Sequence, residues 1–212
     1  MMKFDLHVHS KYSSDGVLDP ENIVRIARKR GLAGIAVTDH NTIRGGIEAA
    51  RYASDDFQVI PGAEILTDHG EVIGLFLSRE IKPSSLDEVI RQIREQGGMV
   101  IVPHPFDKLR HNAFALTTEH ARVVDAIEAV NARCVFSRYN KQAMQFAVDH
   151  DLPVVGGSDA HFAQEIGLAG IQTDSTDIRK AILGRNIQVY GRRSSIVNHV
   201  RTKALKWSRR NN

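Results

Sequence analysis

Histidine and acidic side chains recur in closely spaced pairs along this sequence of 212 residues. His7 and His9 are two residues apart, and the same spacing joins Asp159 to His161. Residues two apart on a β-strand point to the same face, so both members of a pair can contact one ion. Imidazole nitrogens and carboxylate oxygens are common ligands of zinc, manganese and iron. The pairs therefore predict metal binding.

Further candidates follow other apolar runs, namely His40 after Thr38-Asp39, Glu64, and His104. One ion takes about four protein ligands, so the number of candidates implies more than one metal. Glu64 can bridge two ions, because its two oxygens can bind different metals. A lone histidine is usually structural, and no metal role is predicted for four that lack such a context: His111, His120, His150 and His199.

Strand and helix patterns alternate along the chain and would position these side chains. Apolar runs typical of strands occupy residues 4–8, 34–37, 58–60, 71–77, 99–102, 124–129 and 153–155. Helical patterns occupy residues 19–31, 42–53, 85–97 and 139–150. Such alternation predicts a single α/β domain with a parallel sheet. If that sheet closes into a barrel, the polar residues that follow its strands share one rim.

Composition is ordinary for a globular enzyme, with 42% hydrophobic and 25% charged residues. No apolar run approaches the roughly 18 residues of a membrane span, and no signal peptide is evident at Met1. Cys134 is the only cysteine, so an internal disulfide is excluded and Cys134 is predicted to be buried. We expect a cytoplasmic protein with no membrane partner.

Charge is distributed unevenly along the chain. Residues 1–177 carry 18 basic and 25 acidic side chains, whereas ten Lys and Arg and no acidic residue follow Asp177. The basic end could attract nucleic acid, or it could be a helix lying on the acidic body or a frayed end. We expect a barrel domain at residues 1–191 and a basic C-terminal tail or helix at residues 192–212.

The ordered series of motifs resembles the polymerase and histidinol phosphatase (PHP) family. The motifs are His7-Val8-His9, Tyr12-Ser13-Ser14-Asp15-Gly16, Thr38-Asp39-His40, Gly62-Ala63-Glu64, His104-Pro105 and Gly157-Ser158-Asp159-Ala160-His161. They span the chain from about residue 3 to residue 170. The resemblance implies a distorted (β/α)7 TIM-like barrel, with the metal site at the C-terminal rim of the strands.

The resemblance also implies a distribution of ligands over two or three divalent ions (Mn, Zn or Fe). The first ion would take His7, His9, Glu64 and Asp159; the second would take Glu64 and His104; the third would take Asp15, His40 and His161. Many relatives have a further histidine after the Glu64 motif. This sequence offers Glu71 there, or His69, and we favour Glu71. Asn131 stands where some relatives have a histidine, and it could hold a water or the substrate.

The resemblance indicates a metal-dependent phosphoesterase that hydrolyses phosphomonoesters, of a nucleotide or a small metabolite, through a metal-bridging hydroxide. Arg133 is predicted to bind the phosphate with Asn131, although it could instead form a surface salt bridge. Asp39 is predicted to orient a histidine ligand. Any lid is short, at residues 106–119. The alternatives are an exonuclease that acts on DNA or RNA ends through the basic tail, and a non-catalytic regulatory module that binds metal.

Overall fold

This computed structural model describes residues 1–210, which contain nine strands and six α-helices. The strands are β1 (Met2–Val8), β2 (Gly34–His40), β3 (Gln58–Thr67), β4 (Gly70–Leu75), β5 (Met99–Val102), β6 (Ala126–Asn131), β7 (Val154–Gly157), β8 (Ala169–Thr173) and β9 (Gln188–Gly191). The helices are α1 (Pro20–Lys29), α2 (Arg44–Ala50), α3 (Leu86–Glu95), α4 (Ser137–Asp149), α5 (Ile178–Leu183) and α6 (Ile196–Arg210).

All nine strands belong to one sheet, in the order β7-β6-β5-β4-β3-β2-β1-β8-β9. A parallel bridge between Val8 and Ala160 brings the segment after β7 against the end of β1, so the sheet is nearly closed. The predicted barrel-like α/β fold is confirmed. In detail the sheet contains more than seven strands and is mixed, because β4, β8 and β9 run antiparallel to their neighbours.

The reversed direction of β4 matters for the rim. β3 and β4 form a hairpin in which Leu66 pairs with Glu71 and Thr67 with Gly70. Gly70 has φ 119°, a conformation that few other residues adopt, and a Cβ there would lie 2.8 Å from the Cα of Phe114. The hairpin therefore places the start of β4, rather than its end, beside the C-terminal ends of the parallel strands.

The core comprises three groups of buried apolar side chains. One takes residues from all of β1 to β8, such as Leu6 and Ile73, and lies inside the barrel. A second lies beneath α3 and α4, and the third, which includes Val8, lies beneath α1 and α2. β1 is irregular between Asp5 and Val8, so Val8 joins a different group from Leu6. This irregularity breaks the predicted alternation of faces along β1.

A local signal explains the start of α1, whereas the start of α3 depends on a contact from outside the helix. Pro20 occupies the first turn of α1, where its missing N–H costs nothing. α3 begins at Leu86 as predicted, but the side chain of Ser85 makes no capping hydrogen bond. Instead Asp68, from the β3–β4 turn, accepts a hydrogen bond from the backbone N–H of Leu86 at 2.9 Å. The cap comes from 18 residues away in sequence, so the local capping-box spacing was misleading.

The basic C-terminal segment contains α6, which packs against the rim of the barrel. Asn198 and Thr202 are buried on its inner side, whereas Val197 and Trp207 are exposed. This arrangement matches the alternative of a helix lying on the acidic body; residues 211 and 212 lie outside the described part of the chain. Within residues 1–210, no helix combines the length and the hydropathy that crossing a membrane requires.

Candidate metal centre

The structure brings all nine predicted ligand residues together at one rim. They form four overlapping groups whose ligand atoms lie within 4.8 Å of one another in each group. The groups are His9, Asp15, His40 and His161; His7, His9 and Asp159; His7, Glu64 and His104; and His40, Glu64 and Glu71. Metal binding by these residues remains a prediction, but their convergence is a property of the fold.

Strand register explains how the distant ligands meet. His40 and Glu64 are direct partners on the parallel strands β2 and β3, and His40 Nδ1 lies 3.3 Å from Glu64 Oε2. Glu71, at the reversed start of β4, lies 3.4 Å from the same imidazole nitrogen. His69 instead has a half-exposed side chain that contacts Asp68 on the turn. Of the two predicted alternatives, the structure places Glu71 in the cluster.

Two of these residues have backbone conformations that are rare outside glycine. His104 has φ 30° and Asp159 has φ 55°. Such conformations cost free energy and persist only where surrounding contacts enforce them, as at functional sites. The His104 N–H donates to Glu128 Oε2 at 2.8 Å, and the His9 N–H donates to the carbonyl of Ala160 at 2.9 Å. These hydrogen bonds hold both loops in place.

Glu128 is the main residue that the sequence analysis missed. It is buried in β6, its Oε1 lies 3.1 Å from His7 Nδ1, and its Oε2 accepts from the His104 N–H. Burial opposes protonation of His7, yet the charges of Glu128, Asp159 and Glu64 raise the pKa of His7 well above its usual value. A carboxylate on the outer nitrogen leaves His7 Nε2 turned toward the cluster. An acidic residue in the middle of the apolar run 124–129 was the available signal.

Asp39 does not perform its predicted role. Its two carboxylate oxygens accept hydrogen bonds from the backbone N–H and the hydroxyl of Ser10, both at 2.6 Å, and not from an imidazole. Burial raises the pKa of Asp39 to about 6. Asp39 therefore fixes the loop after β1, and Glu128 makes the histidine contact that had been expected of Asp39.

Arg133 and Asn131 are also occupied by protein contacts. Arg133 Nη1 lies 3.0 Å from both oxygens of Glu165, and its Nη2 donates to Thr202 Oγ1 at 3.0 Å. Asn131 is buried, and its amide donates to Glu128 Oε2 at 2.8 Å. Arg133 thus forms a buried ion pair with Glu165 and a hydrogen bond to α6, and these contacts disagree with its predicted role as a phosphate clamp.

Two other cations take the places expected for a clamp. Arg110, in the short lid, donates to Asp159 Oδ2 at 2.6 Å, and Lys206, on α6, lies 2.7 Å from Asp15 Oδ2. Burial disfavours the charge of Arg110, but Asp159 raises its pKa above the usual value for arginine. Both residues line a cleft of about 400 Å³ that opens from the ligand cluster. His111 and His199, for which no metal role was predicted, line the same cleft.

The donor set fits several divalent cations. His7 Nε2 and His9 Nε2 lie only 3.0 Å apart, and both lie 3.4 Å from Glu64 Oε2. Among residues 1–210, His104 Nδ1 and Asp159 Oδ1 are buried without a hydrogen-bond partner. Buried lone pairs that face one another are costly unless a cation lies between them. The cluster therefore has the composition and geometry of a site for divalent metal.

Replacing Glu128 with glutamine is expected to weaken metal binding about 10–100-fold. The variant keeps the shape of the side chain but loses the negative charge that orients His7. Titration of metal-free protein against a chelating dye measures the affinity. Glu88→Gln, on the exposed surface of α3, is the matched control. Equal affinity of the Glu128 variant and the wild type would contradict this role.

The class of protein is defined by a curved β/α sheet with a cluster of histidines and acids at its rim that could hold metal ions. The family model for the PHP-associated domain (PHP_C) matches residues 137–185. Uncharacterized protein MJ0417 of Methanocaldococcus jannaschii is 37% identical over 187 residues, which cover 84% of this chain and 73% of that protein. A protein of Haemophilus influenzae named 5'-3' exoribonuclease is 31% identical over 172 residues, which cover 71% of this chain and 62% of that protein.

The fold comparison agrees with the sequence comparison. A two-domain protein from Bacteroides vulgatus, described as containing a predicted PHP-like metal-dependent phosphoesterase, superposes with a TM-score of 0.73 at 23% identity. The match covers 90% of this chain and 65% of that one. The chain belongs to the PHP family, which confirms the resemblance inferred from the motifs.

Proposed function

We propose that this protein is a metal-dependent phosphoesterase that hydrolyses phosphomonoesters, such as those of nucleotides or small metabolites. The observation that carries the proposal is that predicted metal-ligand side chains and cationic side chains lie together at one rim. Nine convergent ligand side chains can hold divalent ions, and Arg110 and Lys206 add positive charge beside them. A dianionic phosphate monoester complements such a site, because both kinds of positive charge attract it.

Divalent ions held by these ligands would generate hydroxide from water near neutral pH and neutralise charge on the phosphate. The chain's own residues orient the reactants. Asp107 and Asp159 hold the guanidinium of Arg110 at 3.2 and 2.6 Å, so it can donate to a phosphate oxygen without reorganising. Glu128 holds the imidazole of His7, and Ser13 Oγ lies 3.1 Å from His9 Nδ1. We propose two or three ions, of manganese, zinc or iron.

An exonuclease that acts on DNA or RNA ends is the second candidate. The relative named 5'-3' exoribonuclease and the position of the basic helix α6 beside the cleft favour it. Lys203 and Arg209 add positive charge to that helix, and phosphodiester backbones attract such charge. A strand bound there would make hydrolysis strongly dependent on salt.

Metal analysis combined with a substrate panel tests these proposals. We expect two or three ions per chain, and saturating metal should raise the unfolding temperature by about 5–10 °C over chelator-treated protein. The panel contains p-nitrophenyl phosphate, nucleoside 5'-monophosphates and 5'-phosphorylated oligonucleotides. Release of inorganic phosphate supports the phosphomonoesterase, and release of mononucleotides supports the exonuclease. Bound metal without any turnover would favour the non-catalytic module.

A further inference from the structure

Helix α6 forms one wall of the cleft that opens from the ligand cluster. Ile196, Val200, Lys203 and Lys206 line the cleft, at intervals of three or four residues that correspond to one face of a helix. The opposite wall comes from the short lid, which includes Leu109 and Arg110. Any molecule that reaches the ligand cluster through this cleft must therefore pass along α6.

The helix is tied to the same loops that carry the ligands. Arg133, after β6, donates to Thr202, and Gln164, in the segment after His161, donates to Asn198 Oδ1 at 2.8 Å. Arg209 donates to the carbonyls of Ser13 and Ser14 at 3.1 and 2.9 Å, immediately before the ligand Asp15. The helix thus has a fixed position relative to the ligands, although residues 192–212 follow the last barrel strand.

Lys206, on α6, reaches the ligand cluster. Its Nζ lies 2.7 Å from Asp15 Oδ2, and its side chain is 42% exposed whereas that of Asp15 is 2% exposed. The ammonium therefore sits where the ligand cluster meets the cleft. A second cavity of about 390 Å³, lined by Asn41 and Arg209, also reaches Lys206. Lys206 thus lines two cavities that also contact predicted ligands such as His40.

The two cations contact different carboxylates of the cluster. Arg110 contacts Asp159, and Lys206 contacts Asp15. One imidazole, that of His161, separates the two carboxylates, with Nε2 3.0 Å from Asp15 Oδ2 and Nδ1 3.5 Å from Asp159 Oδ1. A tetrahedral anion seated over His161 can accept a hydrogen bond from each side.

We propose that Lys206 is a substrate-binding residue, which donates a charge-assisted hydrogen bond to an oxygen of the substrate phosphate opposite Arg110. This inference rests on the proposed phosphoesterase function. A lysine ammonium binds phosphate as a compact charge, and a bond of this kind is stronger than one between neutral groups. In the absence of substrate, Lys206 contacts Asp15. When a phosphate binds, the ammonium turns to that anion, and Arg133 and Arg209 act as positioning residues for α6.

The test compares metal-loaded wild type, Lys206→Met, Lys206→Arg and Lys180→Met. Lys180, on α5, is the matched control, because it also pairs with an aspartate, Asp177 at 3.4 Å, but has an exposed side chain far from the ligand groups in sequence. With p-nitrophenyl phosphate, Lys206→Met should lower kcat/KM about 10–100-fold, chiefly through KM. The affinity of Lys206→Met for inorganic phosphate, measured by calorimetry, should fall by a similar factor. Lys206→Arg should retain most of both properties, and metal content should be unchanged in all four proteins.

Three results would overturn the proposal. Unchanged KM and phosphate affinity in Lys206→Met would show that Lys206 does not contact the substrate. Lower metal content in that variant would assign Lys206 a structural role, and tighter metal binding with faster turnover would make it a blocking residue. If the wild type hydrolyses no phosphoester, the proposed function fails, and phosphate binding to the metal-loaded proteins still tests Lys206.

Discussion

Replacing His9 with alanine will abolish phosphoester hydrolysis, with an expected loss of at least about 10³-fold in kcat/KM, because metal stabilisation of the transition state is worth several kcal/mol. His9 belongs to two of the four ligand groups, so its loss weakens two ion sites together. Burial, aided by the charge of His161, lowers the pKa of His9 to about 3, so the imidazole is neutral and its lone pair is available.

Loss of a neutral side chain leaves no buried charge without a partner, so we expect His9→Ala to remain folded without metal. Circular dichroism and the metal-to-protein ratio, measured beside kinetics, separate loss of ions from loss of fold. His69→Ala is the control, since His69 is half exposed and outside the cluster. A kcat/KM of His9→Ala within tenfold of the wild-type value would contradict the proposed site.

Replacing Glu165 with alanine should have the largest effect on stability, a loss of about 3–5 kcal/mol, because it leaves the guanidinium of Arg133 buried without its partner. Glu165 is fully buried, and its Oε2 also accepts from the backbone N–H groups of His161 and Phe162 at 3.0 and 3.2 Å. For a chain of this length we expect the unfolding temperature to fall by about 10 °C. Calorimetry of the metal-free protein measures the change.

The double variant Arg133→Met with Glu165→Leu tests whether the unpaired charge of Arg133 causes this loss of stability. Replacing both partners with apolar residues removes the unpaired charge and should recover much of the lost stability. Glu88→Ala, which breaks an exposed ion pair with Arg91, should change the unfolding temperature little. An unfolding temperature of Glu165→Ala equal to that of the wild type would show that the buried pair does not stabilise the protein.

Much of the fold and of the ligand cluster could be predicted from local patterns. Apolar runs followed by polar residues marked the strand ends, and the parallel register of β2 and β3 then made neighbours of His40 and Glu64. The position of Glu71 just inside the strand pattern favoured it over His69, and the structure places Glu71 in the cluster. The reversal of β4, which actually brings Glu71 to the rim, was not foreseen, because a hydrophobic run carries no sign of its direction in a sheet.

The missed residues depend on contacts between distant segments. Lys206 and Asp15 are 191 positions apart, and nothing in the sequence around Lys206 distinguishes it from the other basic residues of α6. Arg133 was predicted to bind phosphate because it follows a predicted strand, whereas Arg110 lies in the lid and has no such signal. The choice between them is decided by Glu165, which binds Arg133, and by Asp159, which binds Arg110. Neither pairing has a local signal in the sequence.

The contact between the end of β1 and the segment after β7 sets the order in which the ligand cluster can assemble during protein synthesis. The first ligands, His7 and His9, leave the ribosome early, but the Val8–Ala160 bridge that places them beside Asp159 and His161 needs three quarters of the chain. Until then the nascent polypeptide carries half-formed sets of imidazoles and acids. Helix α6 follows all of these ligands in the chain, so the wall that it gives the cleft is synthesised after them.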